Sequence, residues 1–271
     1  MKKKKCVVDI GYCWTRDAEF IVKAIDLLGM HTQAEKFYNT FCKKTQSKNG
    51  MWEQRFYTNG TLAPCWGYQI DETASVIYGI YEHYKITKEE TFLKNNLKMC
   101  EKALGFLIKY IKNLLNIEET DNVKKELTEK YEYKDRIYKH VSYDLWEMNE
   151  GVHLYSLASI YSSFNSMINI YDCVKDEYKN NRIKQEKIEK TKQELREYNI
   201  EIKKYIHNNL YDDKQKILLR NITDDKTDIS MLGAIYPFEL FSAKEKVIAN
   251  TVEKINMTLR TYSRRISKIS R

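Results

Sequence analysis

The chain has 271 residues, 42% of them hydrophobic and 31% charged, with a formal net charge of +8; that length can bury a large core in one domain or two small ones. Lys2 to Lys5 together with Arg264, Arg265, Lys268 and Arg271 account for the whole excess, so residues 6–263 are formally neutral. A nucleic-acid protein carries its basic footprint on the folded body, so this distribution argues against a nucleic-acid partner. No run of 18 apolar residues is present to span a membrane. Only Cys6, Val7 and Val8 separate the lysine-rich start from Asp9, too little for a secretory core, and the expectation is a cytoplasmic protein. Six scattered cysteines without CxxC spacing read as reduced structural thiols, and five dispersed histidines indicate no metal site.

Two prolines and nine glycines in the whole chain, with long runs at the helical period, predict an all-α protein. A first helix is expected over about 16–29, with Phe20, Ile21, Ala24, Ile25 and Leu28 as its apolar face, and a second over about 31–45. Residues 70–84 place Ile70, Ala74, Ile77, Tyr78, Tyr81 and Tyr84 on one stripe, and residues 89–115 form a longer amphipathic helix. Residues 116–141 read as a charged insertion. The helix expected over 151–171 is apolar nearly all round, the pattern of an element buried on every side. Residues 173–209 are charge-dense with a narrow seam through Ile188, Leu195 and Ile202, an outer helix. Residues 229–241 should begin another inner element, and 243–259 an outer one. The organisation expected is a basic tail over 1–8, a helical domain over 9–260 and a second basic tail over 261–271, without apolar periodicity.

Three segments concentrate indoles and charged groups where loops enter helices. They are Gly11 to Ala18 with Trp14, Arg16 and Asp17; Trp66 to Glu72 with Gln69 and Asp71; and Ser142 to Glu147 with Asp144 and Trp146. A carboxyl beside an indole suits a proton donor, because an apolar face disfavours the ionised form of an acid. No glycine-rich phosphate loop, GxSxG elbow or HExxH occurs, and no cofactor is implied.

The order and spacing of these segments, with Gly50 to Tyr57, Asn59-Gly60 and Gly151 to Ser156, resemble the glucoamylase family (glycoside hydrolase family 15), especially its bacterial branch, from about Asp9 to about Phe241. The resemblance implies an (α/α)6 toroid, a double ring of six helix pairs, of which this chain holds about eight of the twelve helices. It implies an α-glucan or α-gluco-oligosaccharide as partner, cleaved by inverting hydrolysis of terminal α-glucosidic bonds, for which an acid and a base stand roughly 6.5–9.5 Å apart. By the family motif Glu147 is the general acid. The resemblance implies that Trp14, Arg16, Asp17, Trp66 and Trp146 bind substrate, that Gln69, Asp71 and Glu72 are supporting groups on the loop carrying Trp66, and that Asp144 supports the site as well. Fungal members carry an acidic residue after the acid; here Met148 stands there. The family's base lies in the last third of the catalytic domain, and on this reading it is absent from the chain, which is apparently truncated. Glu150 and Glu72 are poor substitutes, Glu150 standing one helical turn from Glu147 on the same side of the sugar. A catalytically inactive carbohydrate-binding remnant and a non-catalytic helical scaffold are the rival readings. Helices left without neighbours should expose apolar faces through which the chain could self-associate.

Overall fold

The computed structural model describes residues 11–116 and 141–269. The tail over 1–8 and nearly all of the charged insertion lie outside the described residues. The backbone is predominantly helical: α1 (Thr15–Leu27), α2 (His31–Lys36), α3 (Lys43–Thr45), α4 (Ile70–Thr87), α5 (Glu90–Leu115), α6 (Leu154–Cys173), α7 (Arg182–Asn209) and α8 (Lys246–Ile269). A π-helical turn, Phe37–Cys42, joins α2 to α3 without a break, so the helix expected over 31–45 is one continuous element.

The elements alternate between two layers. Helices α1, α4 and α6 pack side by side as an inner layer, and the α2–α3 segment, α5 and α7 cover it from outside. Residue choice explains the division. Helix α6 buries Leu154, Leu157, Ile160, Phe164, Met167 and Ile170 completely, and each such side chain contributes about 1.5–3 kcal/mol of burial. Helix α7 buries a seam at Ile188, Leu195, Ile202 and Ile206 with Lys192 and Asn199 beside it, Lys192 being paired with Asp172, and most of its other charged residues face outward. Gly79 sets the approach of α1 to α4, because a Cβ there would stand 2.5 Å from Glu19 Cγ and 2.5 Å from the Tyr38 hydroxyl. The arrangement is a partial α/α toroid.

Two expectations are corrected, for α1 and α8, and the inner element expected to begin within 229–241 takes a short form. The apolar face of α1 is turned outward: Phe20, Ile21, Ala24 and Leu28 are exposed, whereas Thr15, Arg16, Glu19, Val22 and Asp26 are buried. Charge pairing selects that orientation, since Arg16 meets Asp71 and Glu72 and Asp26 Oδ2 meets His83 Nδ1 at 2.5 Å, both from α4. The fourth inner element is a short 3-10 helix, Ile229–Ala234, packed on α6; the chain turns away at Tyr236-Pro237, where proline cannot continue a helix. Helix α8 runs on to Ile269, across the point where a tail without periodicity was expected.

Two-residue strands pin the loops that lead into the inner layer. β1 (Tyr12–Cys13) pairs with β2 (Phe56–Tyr57), and β3 (Ser142–Tyr143) pairs with β4 (Glu150–Gly151), both antiparallel. A third pair, β5 (Tyr211–Asp212) and β6 (Ile217–Leu218), follows α7. The loops before α1, α4, α6 and the 3-10 helix meet at one end of the layer. Tyr143 N donates to Tyr68 O at 2.7 Å, Leu154 N to Arg220 O at 3.0 Å, and Thr15 Oγ1 to Glu72 O at 2.9 Å.

Candidate active site

Glu147 sits at the tip of the β3–β4 hairpin, not at a helix start, so Glu150 faces Tyr143 across a strand pair and not Glu147 across a helical turn. Asp144 shapes the tip. Its Oδ1 accepts from Met148 N at 2.8 Å and its Oδ2 from Asn149 Nδ2 at 2.7 Å, while its carbonyl accepts from Glu147 N at 3.0 Å. Glu147 itself adopts φ +58°, a left-handed conformation that costs energy in a residue with a Cβ and persists only where its surroundings enforce it. Gln69 enforces it from the neighbouring loop, donating Nε2 to Asp144 O at 2.6 Å. Ile70 N donates to Ser142 Oγ at 3.1 Å. Gly67 is required here, because a Cβ would stand 2.2 Å from the Tyr143 ring.

The side chain of Glu147 is 15% exposed. Trp14 Nε1 donates to Glu147 Oε1 at 2.7 Å, and Arg55 Nη1 lies 3.8 Å from Glu147 Oε2. The Arg55 guanidinium is stacked on Trp66 at 3.8 Å from the ring centroid, with Tyr12 at 5.0 Å and Trp14 at 5.8 Å. Its Nε donates to Pro64 O at 2.8 Å. The result is an aromatic wall of Tyr12, Trp14 and Trp66 with one acid and one guanidinium set into it. The indole next to Glu147 in sequence does not belong to that wall. Trp146 turns away and donates Nε1 to both oxygens of Asp228, at 2.9 and 3.0 Å. Asp228 in turn caps the 3-10 helix through Ser230 N at 2.7 Å and faces Arg220. Burial alone would push the Asp228 carboxyl up, but Trp146, Ser230 and Arg220 together hold it below the usual carboxylate range.

Arg16 is buried beneath the same mouth. Its Nη1 reaches Asp71 Oδ2 at 2.8 Å and Glu72 Oε1 at 3.2 Å, and its Nη2 reaches Asp17 Oδ2 at 2.8 Å. Burial opposes its charge, but Glu72, Asp71 and Asp17 more than offset this and hold the guanidinium charged. Glu72 also accepts from Arg16 N and Thr15 Oγ1, at 2.8 and 2.7 Å. Burial raises its pKa to about 7 against the opposing pull of Arg16. Asp71 and Glu72 therefore support Arg16 and not the Trp66 loop. Of this cluster only Asp17, with a side chain 58% exposed, presents a carboxylate to solvent.

The structure thus brings Trp14, Arg16, Asp17, Trp66, Gln69, Asp71, Glu72, Asp144 and Glu147 to one end of the inner layer, with Trp146 on its margin beside Asp228. Sequence reasoning missed Arg55, Tyr12, Asp228 and Arg220. Arg55 was within reach, since it lies in the Gly50 to Tyr57 segment; Asp228 and Arg220 carry no local signal and come in only through Trp146.

A double layer of helices with a carboxyl, indoles and a charged cluster at the loop end is the construction of a toroidal glycosidase. The family model of glycosyl hydrolases family 15 matches residues 39–269, and the chain belongs to that family. An uncharacterized glycosyl hydrolase of Methanocaldococcus jannaschii is 26% identical over 247 residues, 91% of this chain and 34% of the relative. A glycosidase variant solved in complex with glucose superposes with a TM-score of 0.60 at 16% identity, covering 88% of this chain and 58% of the other. A bacterial glucoamylase solved with acarbose gives 0.57 at 16% identity, covering 89% of this chain and 32% of that one. The chain thus spans about a third of the curated relative and little more than half of the solved glycosidase.

Proposed function

We propose that this chain supplies the acid-side half of an inverting glucoamylase-type site acting on terminal α-glucosidic bonds of malto- or isomalto-oligosaccharides. The observation that carries the reading is Glu147, held in a left-handed turn at the lip of an aromatic wall, with Trp14 fixing one carboxyl oxygen and the other turned toward Arg55. In this role Glu147 protonates the leaving glycosidic oxygen. Trp14, Trp66 and Tyr12 stack against sugar rings, and Asp17, anchored by Arg16, accepts from sugar hydroxyls in the position the family resemblance gives it. The glucose and acarbose named for the two solved relatives are ligands of this kind.

On this reading no residue among the described ones takes the part of the base. Among the described residues the carboxylates nearest this mouth are engaged: Asp71 and Glu72 by Arg16, Asp144 by its own turn, Asp228 by Trp146 and Arg220. Asp17 is paired with Arg16 as well. General acid or base assistance is worth roughly 10²–10⁴ in rate, so the 271-residue chain by itself should release little or no glucose. The test is glucose release from maltose by the chain and by Glu147→Gln, with the maltose-induced tryptophan fluorescence change measured on both. A fluorescence response without turnover supports the reading. Robust release that vanishes in Glu147→Gln would place a base within residues 1–271, and no response of either kind would favour a non-catalytic helical scaffold.

A further inference from the structure

Helix α6 is apolar on almost every side, yet Ser162, Asn165, Ser166 and Asn169 make one of its stripes polar. Their spacing of i, i+3, i+4 and i+7 puts them on a single face. On α4 the residues Tyr78, Tyr81, Glu82 and Lys85 repeat that spacing. Both stripes line one cavity of about 610 Å³, which Lys23 of α1 and residues 236–239 complete.

The polar groups of this cavity are not used up by the fold. Asn165 Oδ1 accepts from Asn199 Nδ2 at 2.9 Å, but the side chains of Ser162, Ser166 and Asn169 make no hydrogen bond among the described residues. Ser162 and Ser166 are largely buried as residues, but their hydroxyls are not among the buried unpartnered atoms, so they stand where a molecule in the cavity can reach them. Charge on the walls is balanced: Glu82 pairs with Lys23 at 3.0 Å and with Lys85 at 2.5 Å, and Glu239 brings a second carboxylate. Lys23 Nζ also donates to the Tyr78 hydroxyl at 3.2 Å. Glu239 holds φ +50°, the left-handed backbone that clusters at ligand sites.

We propose that this cavity is a second binding site, for a neutral polyhydroxylated molecule of monosaccharide size. Balanced walls give no preference to an anion or a cation. Serine hydroxyls and asparagine amides match a ligand that donates and accepts at every carbon, and Tyr78, Tyr81, Tyr161 and Tyr236 bring apolar ring surface to the lining. The volume falls in the usual range for small-ligand sites, roughly 300–1,000 Å³. The site is distinct from the Glu147 mouth: Lys23 lies eight residues beyond Thr15, about 12 Å along α1 at 1.5 Å per residue. No tryptophan lines it.

D-glucose and myo-inositol are the probes, titrated separately into the ¹⁵N-labelled chain. The expected result is saturable shifts of the Asn165 and Asn169 side-chain amides with at least one probe. That affinity should weaken at least tenfold in Asn169→Leu and stay unchanged in Glu147→Gln. Ser166→Ala, which removes one hydroxyl at a helical position that suits alanine, serves as the second variant and should also weaken binding if Asn169→Leu melts early. Shifts confined to the indole N–H groups of Trp14, Trp66 and Trp146, absence of saturation, or affinity unaffected by both cavity variants would each overturn the proposal. Glucose release from maltose is read separately, so failure here leaves the reading of the mouth untouched.

Discussion

Trp14 and Glu147, 133 residues apart, are joined by a 2.7 Å hydrogen bond from the indole Nε1 to Oε1, and that bond ties the loop before the first inner helix to the hairpin before the third. A donor to a carboxyl shielded from water is among the stronger hydrogen bonds a protein makes, worth about 1.5–3 kcal/mol when the acceptor is charged. Trp14→Phe keeps the ring and removes the donor, and Glu147→Leu keeps much of the bulk and removes the acceptor. Each is expected to lower stability by about 1 kcal/mol, and the double variant to cost clearly less than the sum. Urea unfolding of the four proteins measures the coupling. Additive losses would mean the two loops are not joined in solution.

Gly67 permits a contact that no other residue allows. With a Cβ 2.2 Å from the Tyr143 ring, Gly67→Ala must displace either that ring or the loop before α4, at about 1–3 kcal/mol. Because Tyr143 N also bonds Tyr68 O, the displacement reaches the hairpin that carries Glu147. Tyr143→Ala introduced into Gly67→Ala should recover part of the loss. The check is the unfolding midpoint together with the fluorescence response to maltose, and both should fall in the single variant.

The helices were legible because periodicity survives wherever burial is decided by apolar residues: the stripe of α5, the all-round apolarity of α6 and the seam of α7 each appear in the structure. Helix α4, by contrast, is buried on nearly every side, with Asp71, Glu72, Glu82 and His83 more buried than Tyr81 and Tyr84 of its expected stripe. Helix α1 was misread because its orientation is set by charge. Arg16 and Asp26 find partners on α4, and an apolar count cannot see partners more than 50 residues away. The hairpin at Glu147 was misread as a helix entry because two-residue strands leave no alternation to detect. The site motifs were legible through Glu147, Trp14 and Trp66, whereas Arg55 acts through stacking that only the fold creates. Trp146 shows the limit of adjacency in sequence, since its partner is Asp228.

Two buried glutamates make stability depend on pH. Burial raises Glu72 to about 7 and Glu19 to about 8, the latter with neither carboxyl oxygen hydrogen-bonded among the described residues. Both values lie above the ordinary 4.5 of an unfolded glutamate, so between those limits the folded state holds more protons than the unfolded one. Stability contributed by these groups is therefore fully present below about pH 4.5 and is lost as pH rises through 7 to 8. The urea midpoint is expected to fall over that interval. Glu19→Gln should raise it at pH 8 with little change at pH 5. A midpoint that rises with pH over the same range in the parent chain, or a variant that follows the parent at both pH values, would contradict the assignment.

The outward face of α1 carries Ile21 at 61%, Leu27 at 70% and Leu28 at 78% exposure, with Phe20 and Met30 beside them. At the other end of the described chain, α8 and the loop before it form a groove through Ile235, Ala243, Ile248, Val252 and Met257. Several large apolar side chains exposed on one helix are an association hazard, and the charged face of α1 cannot turn outward to replace them without breaking the Arg16 and Asp26 pairs. Removing Arg16 alone would leave Asp71 and Glu72 buried without a cation, a loss of about 3–5 kcal/mol, so the orientation is fixed. The purified chain is therefore expected to self-associate in a concentration-dependent way, read by light scattering on a sizing column. Ile21→Glu with Leu28→Lys should shift it toward monomer while leaving the unfolding midpoint within about 0.5 kcal/mol, as for surface substitutions generally. A parent chain that stays monomeric with one sharp unfolding transition would show that these faces tolerate water, and an oligomer indifferent to both substitutions would place the contact elsewhere.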